Sequence, residues 1–77
     1  MQFVVDFNSN AMLGENLVLI GRQGTLGTVE QQLRPGLLVM LTDVDSLEVA
    51  AVVESMEFAS GTVYWVGKAD RSTCRDL

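Results

Sequence analysis

Short apolar runs, each followed closely by turn-forming residues, constrain this chain more than any other feature of its sequence. The longest uninterrupted apolar runs are Leu37 to Leu41 and Val49 to Val53, and both are far too short to span a membrane. Turn signals recur about every eight to twelve residues, a spacing typical of small antiparallel β-domains. We therefore expect an all-β domain in which five to six short strands close into a small antiparallel barrel.

The expected strands are the segments in which apolar residues alternate or run together between turn residues. They are residues 3–7, 17–20, 37–41, 47–53 and 63–66. Residues 43–46 have turn composition, so the third and fourth segments are expected to form a hairpin. One short helical turn is expected near residues 28–33, and Pro35-Gly36 ends it because proline restricts the backbone around it.

The chain has 77 residues, which is enough for one domain with a modest core. We place that domain at residues 1–67. Residues 68–77 lack an apolar period and are expected to form a frayed or loosely docked tail. Small domains often need disulfides, metals or oligomerisation for extra stability, and Cys74 is the only cysteine, so an intrachain disulfide is excluded.

Composition restricts the chemistry that the chain can perform. It contains no histidine and carries a net charge of −5, so catalytic sets with a histidine base and histidine-ligated zinc sites are excluded. No set of catalytic or metal-ligating residues and no cofactor motif is predicted, and we expect a protein that is not an enzyme. Asp43, Asp45 and Glu48 could supply oxygen ligands for calcium, but aspartates in a hairpin turn explain this cluster better.

The chain is expected to be cytoplasmic. Its first six residues lack the basic region of a signal peptide, and a lone cysteine fits a reducing compartment. No membrane association is expected. Cys74 lies in the expected tail, where an exposed, unreactive thiol is the favoured interpretation.

The segment Ile20-Gly21-Arg22-Gln23-Gly24 resembles the I-G-x-x-G core of KH domains. The resemblance implies an α+β KH-like fold that binds single-stranded nucleic acid through Gly21, Arg22, Gln23 and Gly24. Gly27 would interrupt the family's next helix, no lysine accompanies Arg22, and an acidic chain repels phosphates. A loop whose glycines adopt positive φ angles is the favoured alternative.

Several expected strands are apolar on both faces, and only one face of each can contact the core of so small a domain. The second face should contact a protein partner or another copy of the chain, and its candidate residues are Val18, Ile20, Leu38, Met40 and Tyr64. Adjacent strand residues point to opposite sides, so Trp65 is expected in the core and Tyr64 at the surface.

A wider resemblance covers most of the chain. The opening Phe3-Val4-Val5-Asp6-Phe7-Asn8, the later Pro35-Gly36 with its strand, and Val49-x-Ala51-x-Val53-Glu54 are similar to small bacterial proteins with SH3-like or translation-factor-like β-barrels. This similarity implies a fold and no activity. The expected function is that of a non-catalytic interaction or accessory module without a cofactor, and KH-like nucleic-acid binding is the alternative.

Overall fold

The computed structural model describes residues 1–5, 7, 13–14, 16–43 and 47–76. These residues form five strands and one short 3₁₀ helix, which confirms the expected all-β class. The strands are β1 (Gln2–Val5), β2 (Leu17–Arg22), β3 (Leu38–Asp43), β4 (Leu47–Glu57) and β5 (Val63–Asp76). The 3₁₀ helix, Gly27–Gln32, confirms the predicted helical turn.

The five strands form one sheet in the order β1-β3-β4-β5-β2. Strand β3 pairs antiparallel with β4, β4 with β5, and β5 with β2. Strand β1 is parallel to β3. The sheet is therefore mixed and has β1 and β2 as its two edges, so the prediction of a closed, wholly antiparallel barrel is wrong. The α+β KH-like alternative is also wrong, because the 3₁₀ helix is the only helix among the described residues.

Period-two alternation places one set of side chains on the inner face of the sheet. Val39 lies opposite Ala51 and Leu41 lies opposite Val49 in the β3–β4 pairing, and all four are buried. Val53 continues the same face of β4 with none of its surface exposed. These side chains stabilise the fold chiefly through the apolar surface that they remove from water.

The connection that follows the 3₁₀ helix adds Leu33 to the core, where it is 7% exposed. The chain then turns at Pro35-Gly36, and the Gly36 N–H donates to the carbonyl oxygen of Val53 at 2.8 Å. The Val53 N–H in turn donates to the Leu37 carbonyl oxygen at 2.8 Å. These bonds fix the start of β3 beside β4.

The expected frayed tail is instead the second half of β5, which continues to Asp76 and pairs with β4 as far as Leu47. The register shifts between Glu48 and Ala50, and local hydrogen bonds hold the irregular segment of β5. The hydroxyl of Thr73 donates to the Asp70 carbonyl at 2.7 Å and accepts the Ala50 N–H at 2.9 Å. Backbone pairing needs no apolar period, which is why the amphipathic pattern did not reveal it.

Candidate functional site

The outer face of the sheet carries a cluster of exposed apolar side chains close to β1. Leu38 lies opposite Val52 and Met40 lies opposite Ala50. Val4 lies on the same face of β1, opposite the buried Thr42 and two residues from the Gln2–Met40 pair. The side chains of Val4 and Leu38 are 72% and 64% exposed, and Val52 is 38% exposed. We call these five apolar residues the outer apolar face.

Two of the five predicted contact residues, Leu38 and Met40, belong to the outer apolar face. Val18 does not, because it is 1% exposed and lies in the core. Its cross-strand neighbour is Gly67, and Val18 belongs to the cluster of buried core residues. The prediction that Val18 contacts a partner is therefore wrong.

The other two predicted contact residues are half-buried. Ile20 packs against the core cluster. Tyr64 stacks against Phe58 with ring centroids 4.8 Å apart and an interplanar angle of 54°, so its ring is already engaged within the chain. Trp65 is half-buried and packs against the core, on the side that the sequence predicted.

Sequence reasoning missed Val4, Ala50 and Val52. A usable signal was present in β4, because Ala50 and Val52 have the opposite parity to the core residues Val49 and Ala51. Residues of opposite parity face opposite sides of a strand. In β1 the alternation with polar residues predicts that Phe3, Val5 and Phe7 face one side and Val4 the other, and the structure agrees, since those three pack against the core and Val4 is exposed.

Charged side chains border the outer apolar face on its β4–β5 side. Lys68 lies opposite Val52, Asp70 opposite Ala50, and Glu54 opposite Val66 in the register. The three charged residues are exposed. This border therefore contains two carboxylates and one ammonium group.

The glycine loop is closed by a carboxylate from the 3₁₀ helix. The Gly24 N–H donates to Glu30 Oε2 at 2.7 Å, and the Leu26 N–H donates to Glu30 Oε1 at 3.1 Å. Gly24 has a φ of 90°, which is unfavourable for residues with a Cβ. Gly21 serves a different purpose, because a Cβ there would lie 2.5 Å from Leu26 Cδ2.

These contacts hold the pKa of the Glu30 carboxyl below its ordinary value of 4.5, with the Gly24 N–H as the largest cause and the Leu26 N–H next. The Trp65 indole N–H adds a smaller lowering of the pKa. Its buried Nε1 nevertheless lies outside normal hydrogen-bond geometry with any described group. We therefore treat the Trp65 contribution as a weak electrostatic contact, not a hydrogen bond.

The arrangement argues against the glycine loop as a clamp for nucleic acid. A phosphate at Gly24 would have to displace the Glu30 carboxylate, which already accepts the N–H groups of Gly24 and Leu26. Gln23 is also engaged, since its side-chain amide donates to the Ser55 hydroxyl at 2.9 Å. The sequence carries no signal for this closure, because it depends on where the 3₁₀ helix packs.

The acidic cluster considered for calcium is used within the fold. Glu48 is 8% exposed, and its Oε1 accepts hydrogen bonds from Arg75 Nε at 2.9 Å and Arg75 Nη2 at 2.6 Å. Asp43 is 6% exposed, and Asp45 lies outside the described residues. Among the described residues, no group of three His, Cys, Asp or Glu side chains could hold a metal ion.

Cys74 is a free, exposed thiol in β5. Within the described part of the chain, no helix has the length and apolar character needed to cross a membrane. Comparisons with protein-family models, with curated proteins and with solved structures find no match to this chain.

Proposed function

We propose that this chain is a non-catalytic interaction module that docks a partner protein on its outer apolar face. The observation that carries the proposal is that Val4, Leu38 and Val52 are exposed on one face of the sheet, with Met40 between Val4 and Leu38. A contiguous apolar patch on a small domain commonly marks a site of protein interaction. As part of the same proposal, we assign the module to the cytoplasm.

The total accessible surface is that of a compact folded monomer. The chain exposes 4775 Å², and a folded monomer of 8.4 kDa is expected to expose about 4600 Å². The chain therefore reaches ordinary compactness without a partner, which fits a module that folds alone and docks reversibly.

The charges beside the patch indicate the chemistry of the partner. Glu54 and Asp70 outnumber Lys68 at its border, and the whole chain has a net charge of −5. A complementary partner would present an apolar centre with a basic rim, because matched potentials favour encounter and disfavour other partners. Two copies docking face to face would instead bring like charges together.

The test compares Leu38→Lys/Val52→Lys with Leu13→Lys, which alters an exposed leucine that is not part of the face. Proteins captured by the wild-type chain and by Leu13→Lys, but not by the double variant, would be purified and titrated individually. We expect at least a roughly tenfold weaker dissociation constant for the double variant, and weaker wild-type binding as salt increases.

Equal affinity of the purified partner for both variants would contradict the proposal. Concentration-dependent association that only the double variant abolishes would assign the face to self-docking instead. Salt-sensitive binding of single-stranded RNA that is lost on Arg22→Asp/Gln23→Asp would support the nucleic-acid alternative and overturn the proposal.

A further inference from the structure

Among the described residues, strand β1 is an edge of the sheet with one side unpaired. It pairs with β3 on one side and is the terminal strand in the sheet order. No described strand occupies its other side. An open strand edge is a template for pairing with another chain.

The register shows which backbone groups of β1 face the open side. The Met40 N–H donates to the Met1 carbonyl oxygen at 2.9 Å, so Met1 directs its backbone groups toward β3. Alternate residues along a strand direct these groups to opposite sides. Phe3 and Val5 therefore also face β3, whereas the N–H and C=O groups of Gln2 and Val4 point outward.

The two edges of the sheet differ in how well they are protected. Strand β2 carries a register irregularity between Leu19 and Gly21 and ends at Arg22. Bulges and charged side chains are devices that keep an edge from pairing. Strand β1 pairs in regular register through Gln2–Val5 and contains no charged residue or proline.

We infer that β1 pairs with β1 of a second copy of this chain, in antiparallel orientation about a two-fold axis at Phe3. Gln2 of each copy then lies opposite Val4 of the other. These two pairs exchange about four hydrogen bonds through the outward N–H and C=O groups. The two Phe3 residues lie opposite one another at the axis, on the face where each ring packs against its own core, so their exposed edges form the cross-strand contact.

Symmetry favours a second copy as the occupant. Two chains that each carry a net charge of −5 repel one another, but Gln2–Val5 has no charged side chain, so pairing there places no like charges of β1 in contact. The contact is self-complementary, so it closes as a dimer. The joined sheet also brings the two outer apolar faces beside one another, although the inference rests on the strand edge and not on the proposed function.

The contact is small. Strand β1 has four residues, whereas stable complexes usually bury roughly 1,200 Å² or more. We therefore expect a dissociation constant on the order of 1 mM. Added salt should strengthen the dimer, because screening weakens the repulsion between the two acidic chains.

Amide hydrogen exchange on the wild-type protein tests the inference directly. Dilute protein should exchange the outward amides of Gln2 and Val4 rapidly, while those of Phe3 and Val5 are protected by β3. Raising the concentration toward about 1 mM should slow exchange at Gln2 and Val4 several-fold. Unchanged exchange at these two amides across that range would overturn the inference.

The variant Val4→Pro provides a second test, because it removes an outward N–H without removing a bond to β3. Its control, Val4→Thr, keeps the N–H and the branched side chain. Sedimentation equilibrium should show dimer for wild type and Val4→Thr, with at least roughly tenfold weaker association for Val4→Pro. A dimer that Val4→Pro leaves unchanged would contradict pairing through β1.

These results are independent of the docking test. A chain that remains monomeric, yet binds a purified partner that Leu38→Lys/Val52→Lys no longer binds, would overturn the dimer and leave the proposed function standing. Should Val4→Pro fail to fold, the exchange measurement on the wild-type chain still decides the question.

Discussion

Glu30 ties the glycine loop to the 3₁₀ helix through a single carboxylate. Its two oxygens accept the N–H groups of Gly24 and Leu26, which otherwise would need water or a ligand. The loop is held at its other side by the Gln23 N–H, which donates to the Val63 carbonyl at 3.0 Å. The glycine loop has the composition of an anion-binding loop, and the anion that it binds is the Glu30 carboxylate of the same chain.

The lowered pKa of Glu30 predicts a particular dependence of stability on pH. A carboxyl whose pKa is lowered by folding stabilises the folded state above its ordinary pKa of 4.5, and this contribution is lost as pH falls through the lowered value. Thermal unfolding of Glu30→Gln should therefore occur at a lower temperature than that of wild type at pH 7. The difference should shrink progressively below about pH 4.5.

The control is Glu54→Gln, which changes an exposed carboxylate, and it should unfold at the same temperature as wild type at pH 7. A Glu30→Gln difference that is constant between about pH 3 and 7 would show that the carboxylate does not act through its charge. If Glu30→Gln also gains affinity for inorganic phosphate, the two N–H groups that Glu30 engages form a latent anion site.

Strand β5 connects both halves of the sheet, because it pairs with β2 and with β4. Gly67 lies where β5 crosses the core, and it is opposite Val18 of β2 on one side and Val53 of β4 on the other. A Cβ at this position would lie 3.2 Å from both Ala51 Cβ and Leu41 Cδ1. A side chain at this position would therefore have to push these core neighbours aside by a few tenths of an ångström.

We expect Gly67→Ala to destabilise the fold by about 1–3 kcal/mol, the usual consequence of overfilling a packed core. Gly14→Ala is the control, since its Cβ would meet Leu17 Cβ at an ordinary 3.9 Å. Urea unfolding of both variants measures the difference. Equal stability of Gly67→Ala and wild type would show that the strands can separate at this point without loss.

The molecule as a whole has one face that is buried and one that is partly open. Leu41 is fully buried on the inner face, and Leu38, three residues earlier in β3, is 64% exposed on the outer face. The same kind of side chain therefore contributes to stability on one side of the strand and is available for docking on the other.

Truncation of these two leucines should separate the two roles. Leu41→Ala should lower the free energy of unfolding by about 2–5 kcal/mol, through lost burial and the cavity that remains. Leu38→Ala should change it by no more than about 0.5 kcal/mol, because its side chain is largely in water already. Chemical unfolding measures both, and comparable losses would show that the outer apolar face is covered within the monomer.

Local pattern is sufficient to locate the position of each strand and of the 3₁₀ helix, although not the second half of β5, because period two and turn residues act over a few neighbouring positions. It also places Trp65 against the core and Leu38 on the second face. The resemblance to a closed barrel depended on the same local pattern. That pattern contains no information about how the ends of the sheet meet.

Only the tertiary structure decided the remaining features, since each depends on contacts between distant segments. Such features include the parallel pairing of β1 with β3 and the pairing of residues 68–76 with β4. They also include the burial of Val18, which lies opposite Gly67. The closure of the glycine loop by Glu30 depends in the same way on where the 3₁₀ helix packs. Alternation establishes that a strand has two faces, but the choice between them is made by the strands and loops that pack against it.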